Sequence, residues 1–261
     1  MSRHPAFPLL VLMTVTACSA TDSTTLGATC AGPKTYAVGS TLNGTTVGAN
    51  CRKPGGSNDG PTGELYNMTL TQQSNFFLTL EATGYPGFVG LYTSSGDVID
   101  EEGISNTQLK AFLPAGTYQV YVGDTKGAGG AFTLTSPSTS LDGCTTINGG
   151  GVNLGHIVKG ASFSGTVVAT DCGNTLAKID IYEIRVKAGE VLNLSITVDR
   201  LSGLSVVNAG GAVVASRELT AAGSWTTAVT ATTAGSYLIR IESRTANGSS
   251  NLPVAYSVVL N

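Results

Sequence analysis

The chain has 261 residues, of which 12% are charged, and its formal net charge at pH 7 is −3. This balance provides no basic field that could hold nucleic acid or an anionic lipid surface, so we expect no nucleic-acid partner. The chain contains 34 glycines, and its aliphatic residues alternate with Thr and Ser instead of recurring at helical spacing. The sequence therefore predicts an exported, all-β protein with many turns.

Residues 1–17 have the features of an export signal. Arg3 gives a positive start, and AFPLLVLMTV at 6–15 is an apolar run too short to span a bilayer. The run leads to Val15-Thr16-Ala17-Cys18, which resembles the lipobox of bacterial lipoproteins: an aliphatic residue, two small residues and the cysteine that is lipidated. The alternative is an ordinary signal peptide that is cleaved nearby and leaves a thiol.

The lipobox implies a membrane anchor. Lipidation of Cys18 would make residues 18–29 a polar tether between the lipid and the first domain. Ser19, rather than Asp, follows the cysteine, which in lipoproteins of two-membrane bacteria favours sorting to the outer membrane. We therefore expect an exported protein that is lipid-anchored in the bacterial cell envelope, and in the outer membrane if the organism has two membranes.

The chain repeats itself. Three pairs of segments match in the same order: GSTLNGTTVGANC (39–51) with GASFSGTVVATDC (160–172), LYNMTL (65–70) with IYEIRV (181–186), and PAGTYQVYV (114–122) with TAGSYLIRI (233–241). Their alternation predicts half-buried strands, with inward residues Tyr66, Met68, Leu70, Tyr118, Val120, Val122, Tyr182, Ile184, Val186, Tyr237, Ile239 and Ile241. We predict two tandem domains, 30–136 and 144–261, joined by a linker at 137–143.

The cysteines follow the repeat. Of the five in the chain, Cys30 and Cys51 belong to the first copy, and Cys144 and Cys172 to the second. Pairing within each copy is the simplest of the three connectivities that four cysteines allow in an exported protein. A metal site is the poorer alternative, because no second sulfur or histidine lies at a ligand spacing such as CxxC. This pairing leaves Cys18 without a partner, as expected for a lipidated cysteine.

The order of motifs in the first copy resembles the bacterial pre-peptidase C-terminal domain family. GFVGLYTSSGDVIDEEG at 87–103 is similar to that family's strand, Ser-Gly-Asp turn and acidic pair, and LKAFLPAGTYQVYVGDTKGAGGAFTLT at 109–135 to its later strands and glycine-rich loop. The second copy diverges more but keeps DIYEIRVKAGEVLNLSI at 180–196. The resemblance implies two tandem antiparallel β-sandwiches of jelly-roll type. Such domains usually act as accessory modules beside secreted hydrolases, and some relatives bind calcium, collagen or polysaccharide.

The residue inventory argues against catalysis. Removal of the signal takes away His4 and leaves His156 as the only histidine. A triad needs an imidazole between a nucleophile and a carboxylate, and a zincin needs more than one histidine. His156 lies in GGGVNLGHIVKG, with no GxSxG nearby. We expect it to be a surface loop residue at the opening of the second copy, and we expect the protein not to be an enzyme.

The chain has one acidic cluster, formed by Asp97, Asp100, Glu101 and Glu102. Adjacent acids on an extended turn point in different directions, which fits cation binding better than the facing carboxylates of a glycosidase. Calcium takes six to eight oxygen ligands, and Asp97, Asp100 and Glu101, with Asp124 of the GDTKG loop, could supply several. The alternative is a solvated turn. Calcium in the first domain is therefore the one cofactor candidate.

Exposed aromatic residues are the other candidate site, because flat rings stack on sugars. Tyr85 and Phe88 lie in the TGYPGF turn, and Tyr121 is predicted on the outward face of its strand. These three residues form the predicted carbohydrate-stacking surface. Trp225 lies in an alternating segment, which favours a core position.

These features predict a non-catalytic, lipid-anchored envelope protein whose tandem β-sandwich domains serve adhesion, binding or envelope structure. The alternative is an accessory module that binds polysaccharide, or a protein such as collagen, and acts with a separately encoded secreted hydrolase. The expected partners are the membrane, through the lipid, and a polysaccharide or protein of the envelope.

Overall fold

A computed structural model describes residues 32–49, 51–56, 62–103, 107–139, 143–147, 150–152, 155–174, 177–246 and 249–261. The predicted export signal, the tether, Cys18 and Cys30 lie outside the described residues. The described chain consists of strands, turns and loops without a helix, which confirms the all-β prediction. In this part of the chain, no helix is long and apolar enough to cross a membrane.

In chain order, the strands up to residue 139 are β1 (Lys34–Tyr36), β2 (Thr41–Thr45), β3 (Cys51–Arg52), β4 (Thr62–Leu70), β5 (Ser74–Ala82), β6 (Gly87–Thr93), β7 (Val98–Gly103), β8 (Thr107–Leu113), β9 (Gly116–Asp124) and β10 (Ala131–Thr135). From residue 143 they are β11 (Thr145–Ile147), β12 (Gly150–Val152), β13 (Gly155–His156), β14 (Ser162–Val167), β15 (Cys172–Gly173), β16 (Lys178–Val186), β17 (Val191–Val198), β18 (Ser202–Val207), β19 (Val213–Leu219), β20 (Gly223–Thr230), β21 (Gly235–Ser243), β22 (Thr245–Ala246), β23 (Ser249–Ser250) and β24 (Val254–Leu260). We call residues 32–139 the first unit and residues 143–261 the second unit.

Each unit is built of two sheets. In the first unit, one sheet has the order β1-β4-β9-β6-β7, with β3 beside β4, and the other has the order β8-β5-β10-β2. In the second unit, one sheet has the order β16-β21-β18-β19, with β15 beside β16, and the other has the order β14-β24-β17-β20. Matching segments of the repeat occupy matching strands, since β4 and β9 pair as β16 and β21 do.

A hydrophobic core lies between the two sheets of each unit. All the residues predicted to face inward are buried, because successive side chains of a strand point to opposite faces. Tyr66 of β4 shares the first core with Leu78 of β5. Tyr182 of β16 shares the second core with Ile196 of β17. The alternation in the sequence thus defines the interior of both β-sandwiches.

The two units share a sheet. The short strand β13 runs parallel to β8 of the first unit, where His156 lies opposite Ala111, and parallel to β16 of the second, where His156 lies opposite Glu183. In the described chain, β8-β5-β10-β2 and β16-β21-β18-β19 therefore form one continuous sheet. The segment GGGVNLGHIVKG shows no alternation that would predict this strand.

Apolar side chains also cross between the units. Phe112 of β8 lies in the second core, where its ring centroid is 4.9 Å from that of Phe163 and 5.8 Å from that of Tyr182. Val158, just after β13, packs in the other direction against the first core. Each contact removes apolar surface from water. The units are thus joined by packing and by a sheet as well as by the connecting segment.

The predicted linker 137–143 begins as part of the first unit. The N–H of Phe77 donates to the carbonyl of Pro137 at 3.1 Å, and the N–H of Thr139 donates to the carbonyl of Asn75 at 3.0 Å. These bonds extend the edge of β5. The first residues of the segment are therefore held in place by backbone hydrogen bonds.

A disulfide joins Cys144 and Cys172, whose Cα atoms are 4.7 Å apart. It ties the beginning of the second unit to β15, in agreement with pairing inside the second copy. Cys51 is buried at the start of β3. Its predicted partner Cys30 lies outside the described residues, so the Cys30–Cys51 bond stays a prediction.

Candidate functional site

A cleft of about 760 Å³ lies between the two units. The first unit contributes the β6–β7 turn and the start of β7, including Asp97 and Val98. The second unit contributes the end of β16 and the turn after it, including Arg185 and Lys187, and the segment after β13 adds Ile157. Because the walls come from both units, neither copy of the repeat forms the cleft alone.

The cleft begins where β13 ends. The N–H of Ile157 donates to the carbonyl of Glu183 at 2.8 Å, and among the described residues this is the last backbone hydrogen bond between this segment and β16. The chain then turns, with the N–H of Ala161 bonded to the carbonyl of Val158 at 3.2 Å. The position beside β16 that a longer β13 would fill is therefore left open.

Charged side chains from both units meet beside the cleft. Nε2 of His156 lies 2.7 Å from Oδ2 of Asp100, and Nη2 of Arg185 donates to Oδ1 of the same carboxylate at 3.0 Å. Glu183 lies farther away, with its carboxylate 3.8 Å from Nδ1 of His156. Both oxygens of a buried first-unit carboxylate thus bind cationic groups of the second unit, in charge-assisted contacts.

This arrangement changes the pKa of the groups involved. Burial disfavours the charged form of His156, but the hydrogen bond to Asp100 and the charges of Asp100 and Glu183 outweigh it and raise the pKa of the imidazole above its ordinary value. Burial also disfavours ionisation of Asp100, yet His156 and Arg185 outweigh it and hold the pKa of that carboxyl below its ordinary value. Burial and the charge of Asp100 raise the pKa of Glu102.

Two more ion pairs lie at the rim of the cleft. Lys187 of the second unit pairs with Asp97 of the first. Nζ of Lys159 lies 3.7 Å from Oε1 of Glu190. Each cationic side chain that lines the cleft, Arg185 included, therefore has an anionic partner.

The site does not have the parts of a hydrolytic triad. Nε2 of His156 is occupied by Asp100, and Nδ1 is buried without a hydrogen-bond partner among the described residues. A nucleophile–histidine–carboxylate relay needs both ring nitrogens engaged. What the arrangement can do is hold the units together and present a cleft to a ligand.

The prediction that His156 is a surface loop residue is wrong. It lies on β13 between two other strands, and its side chain is 14% exposed. The glycine-rich sequence around it indicated a loop because only two residues pair as a strand, too few to produce an alternating pattern.

The four residues predicted to bind calcium are engaged with other groups of the protein. Each proposed ligand has its own protein partner: Lys187 for Asp97, His156 and Arg185 for Asp100, Lys53 and Tyr92 for Glu101, and the N–H groups of Lys126 and Gly129 for Asp124. Asp100 and Glu101 face opposite sides of β7 because successive strand residues alternate. Within the described ranges, no group of three or more His, Cys, Asp or Glu side chains could hold a metal ion.

The predicted carbohydrate-stacking surface is not formed. Tyr121 does face outward, but it is only 1% exposed because its ring lies flat over two glycines. A Cβ on Gly63 would lie 2.7 Å from the ring, and one on Gly123 would lie 2.5 Å from it. Phe88 packs edge-on against Tyr121, with the ring centroids 6.1 Å apart. Burial raises the pKa of Tyr121 to about 12.

The other two aromatic candidates are also accounted for by packing. Tyr85 is buried, and its ring lies against Gly130 of the glycine-rich loop, where a Cβ would come within 2.3 Å of it. Trp225 is partly buried and packs against the second core, as its alternating position predicts. Tyr85 is therefore not available to stack on a sugar.

No pattern in the sequence identifies the residues that form the second-unit wall of the cleft. Arg185 lies between the buried residues Ile184 and Val186, so its outward position follows from the alternation. The sequence gives no sign, however, of what lies opposite it, because Asp97 and Asp100 belong to the other copy of the repeat.

Comparison with known proteins gives similarity at the level of architecture. The chain matches no family model and no curated protein. It is similar to the pre-peptidase C-terminal domain of collagenase from Bacillus anthracis, at 13% identity and a TM-score of 0.31, over 40% of this chain and 94% of that chain. This is the domain type that the sequence motifs resemble.

Two multi-domain structures also match. The CUB1-EGF-CUB2 domains of rat MASP-1 match with 12% identity and a TM-score of 0.24, over 86% of this chain and 99% of that chain. The CBM22-1-CBM22-2 tandem domain of Paenibacillus barcinonensis Xyn10C matches with 11% identity and a TM-score of 0.24, over 75% and 82% of the two chains. Similarities of this size carry no argument about a ligand.

Proposed function

We propose that this chain is a non-catalytic, lipid-anchored protein of the bacterial cell envelope that binds an envelope ligand in the cleft between its two units. The observation that carries the proposal is the position of the cleft. Its walls come from both copies of the repeat, and ion pairs between Asp97 and Lys187 and between Asp100 and Arg185 hold the walls in place.

The chemistry of the cleft favours binding over catalysis. Ligand sites are concave and largely apolar, with a few placed polar groups, and the cleft combines the apolar residues Val98, Ile157 and Val186 with paired charges. The imidazole of His156 contacts a carboxylate instead of a nucleophile. A ligand would therefore be held without being attacked.

The location in the envelope rests on the sequence. The apolar run at 6–15 and the lipobox ending at Cys18 support export and lipidation. One acyl chain gives only marginal membrane binding, and stable anchoring needs more than one lipid chain or a second signal. A stable anchor at Cys18 therefore requires a further lipid chain or a second membrane-binding signal.

The test is retention of envelope material by residues 19–261, which exclude the export signal and Cys18. The matched variants are Ala188→Trp, which places a large side chain at an exposed position in the cleft wall, and Ala221→Trp. Ala221 is equally exposed but lies in the β19–β20 turn, at the opposite end of the sheet from the cleft. We expect the parent and Ala221→Trp proteins to retain the same material and Ala188→Trp to lose it.

The proposal fails if no polysaccharide or protein of the envelope is retained by the parent. It also fails if Ala188→Trp retains as much as Ala221→Trp, since the ligand would then lie elsewhere. Thermal unfolding of both variants controls for damage to the fold, and each exposed substitution should change stability by less than about 0.5 kcal/mol.

A further inference from the structure

The cleft lies where a longer β13 would continue alongside β16. β13 pairs with β16 only as far as Glu183, and the chain after Ile157 turns away. On its other edge, β16 continues to pair with β21 through Arg185 and Val186. One edge of β16 is therefore uncovered over its last residues, and this edge faces the cleft.

The backbone of Arg185 faces into this gap. In a strand, alternate residues direct their N–H and C=O groups to opposite edges. Since the carbonyl of Glu183 accepts from Ile157 on the β13 side, the N–H and C=O of Arg185 point to the same side. Among the described residues neither group has a hydrogen-bond partner, and a backbone pair in that state is a template for an added strand.

The gap is short. The N–H of Lys187 donates to the carboxylate of Glu190 at 2.9 Å, and the carbonyl of Lys187 accepts from the N–H of Glu190 at 3.1 Å. These bonds occupy the backbone groups of Lys187, which is the next residue after Arg185 whose backbone would face this edge. An added strand would therefore make its main-chain hydrogen bonds at Arg185 and could not extend them past the turn.

The opposite wall is also a strand edge. β7 pairs only with β6 in the described sheet, and Val98 at its beginning lines the cleft. The N–H of Thr93 donates to the carbonyl of Asp97 at 2.9 Å, so Asp97 faces β6 and the next residue, Val98, directs its backbone groups away from β6. Backbone groups from both units thus border the cleft.

The side chains around these edges restrict the occupant. Val98, Ile157, Ile184 and Val186 are apolar and line the cleft. Arg185 and the cations at the rim are each already paired with a carboxylate of the protein, so the occupant needs no charged side chain to compensate them. The occupant must supply backbone-like donors and acceptors together with small apolar or neutral side chains.

We infer that the cleft ligand is an extended, uncharged peptide segment that adds as a short strand to the Arg185 edge of β16, between the two units. This inference rests on the proposed function and specifies its ligand class. Strand addition uses main-chain hydrogen bonds for affinity and alternate side chains for specificity, and the exposed backbone pair with apolar residues on either side provides both.

The test begins with a phage library of uncharged octapeptides panned against residues 19–261. The enriched peptide is synthesised with blocked termini, and its affinity is measured for the parent, Ala188→Trp and Ala221→Trp proteins. A series with single N-methylated backbone amides then removes one donor at a time. Exchange of the Arg185 amide proton is followed by NMR with and without the peptide.

We expect binding to fall at least about tenfold in Ala188→Trp and to be unchanged in Ala221→Trp. N-methylation of the one peptide amide that donates to the carbonyl of Arg185 should weaken binding by about tenfold, because it removes that hydrogen bond. The Arg185 amide should become protected in the complex. Failure to enrich any peptide, equal binding to both Trp variants, or insensitivity to every N-methyl group would overturn the inference.

One further measurement separates this inference from the proposed function. Envelope material retained in a cleft-dependent manner is treated with protease. If the retained material survives, the cleft binds a ligand that is not a peptide, and the proposed function stands while the strand-addition inference fails. If protease removes it, both are supported.

Discussion

Asp100 and His156 come from different copies of the sequence repeat, and their side chains meet at 2.7 Å across the boundary between the units. Arg185 binds the second oxygen of the same carboxylate. Asp100 is buried, so its charge depends on these two partners. Removing them together would leave an uncompensated buried charge, which is among the costliest changes a core can undergo.

The first prediction concerns pH and His156. Its pKa is higher in the folded protein than in the unfolded chain, so its stabilising contribution is complete below the unfolded pKa of about 6.5 and is lost as pH rises through the folded pKa. Asp100 behaves in the opposite way: its contribution is present above about pH 3.9 and is lost as pH falls through its lowered folded pKa.

We therefore expect His156→Ala to cost about 1.5–3 kcal/mol near pH 5.5, the size of a charged hydrogen bond, and less at alkaline pH. His156→Gln keeps a donor near Asp100 but has no titration of its own, so its stability should lack the alkaline decline of the parent. Urea unfolding measured between about pH 5 and 9 checks both. If the free energy of unfolding of the parent rises between about pH 5 and 9 relative to that of His156→Gln, the raised pKa of His156 is contradicted.

The second prediction concerns the disulfides. The Cys144–Cys172 bond closes a separation of 28 residues, so replacing both cysteines with Ser should cost about 3–4 kcal/mol in the chain-entropy model. If Cys30 and Cys51 are bonded, the corresponding double variant should lose a similar amount. Denaturant unfolding of the two double variants provides the comparison. A loss in the first variant only would leave the Cys30–Cys51 bond without support.

The third prediction separates packing from sugar binding at Tyr121. Its ring fills the space above Gly63 and Gly123, so Tyr121→Ala should destabilise the protein by about 3 kcal/mol. Phe88→Ala, at a partly exposed position, should cost less. Retention of envelope polysaccharide should be the same for any Tyr121 variant that remains folded. Reduced retention by a fully stable Tyr121 variant would restore the stacking interpretation.

The fourth prediction concerns metal removal. Asp97, Asp100, Glu101 and Asp124 each have a cation, a hydroxyl or backbone N–H groups as partners. A chelator should therefore leave the Tm unchanged to within about 1 °C, because no binding energy is lost. Added calcium should have no effect either. A rise of several degrees with calcium that Asp124→Asn abolishes would contradict the structural assignment.

The fifth prediction concerns the anchor. Cys18→Ser removes the residue that the lipobox marks for lipidation. The protein should then fail to incorporate labelled fatty acid and should leave the membrane fraction once its signal is cleaved. Ser23→Ala is the matched control, since it changes the same polar tether without removing the thiol of Cys18. Membrane retention and labelling that persist without Cys18 would exclude lipid anchoring at this residue.

Much of the fold could be predicted because the relevant pattern is local. The alternation around Tyr66 and Tyr182 specifies which face of β4 and β16 is buried, and both residues lie in the cores as expected. The repeat also gives the strand correspondence, since the same alternation recurs in the same order. These features depend only on the two-residue period of a strand.

What could not be predicted depends on contacts between the copies. His156 pairs with strands of both units, yet two residues are too few to form a pattern. In the sequence, Asp100 belongs to an acidic cluster. Nothing near it indicates that its partners are a histidine and an arginine of the second unit. Gly63 and Gly123 leave space for the ring of Tyr121. Its burial could therefore be predicted only if the register of β4 and β9 were known.

Because the short strand β13 pairs with a strand of each unit, we expect the width of the cleft and the relative tilt of the two units to change together. A ligand that wedges the walls apart must strain the pairing of His156 with Ala111 or with Glu183, and a force that tilts one unit must widen or narrow the cleft.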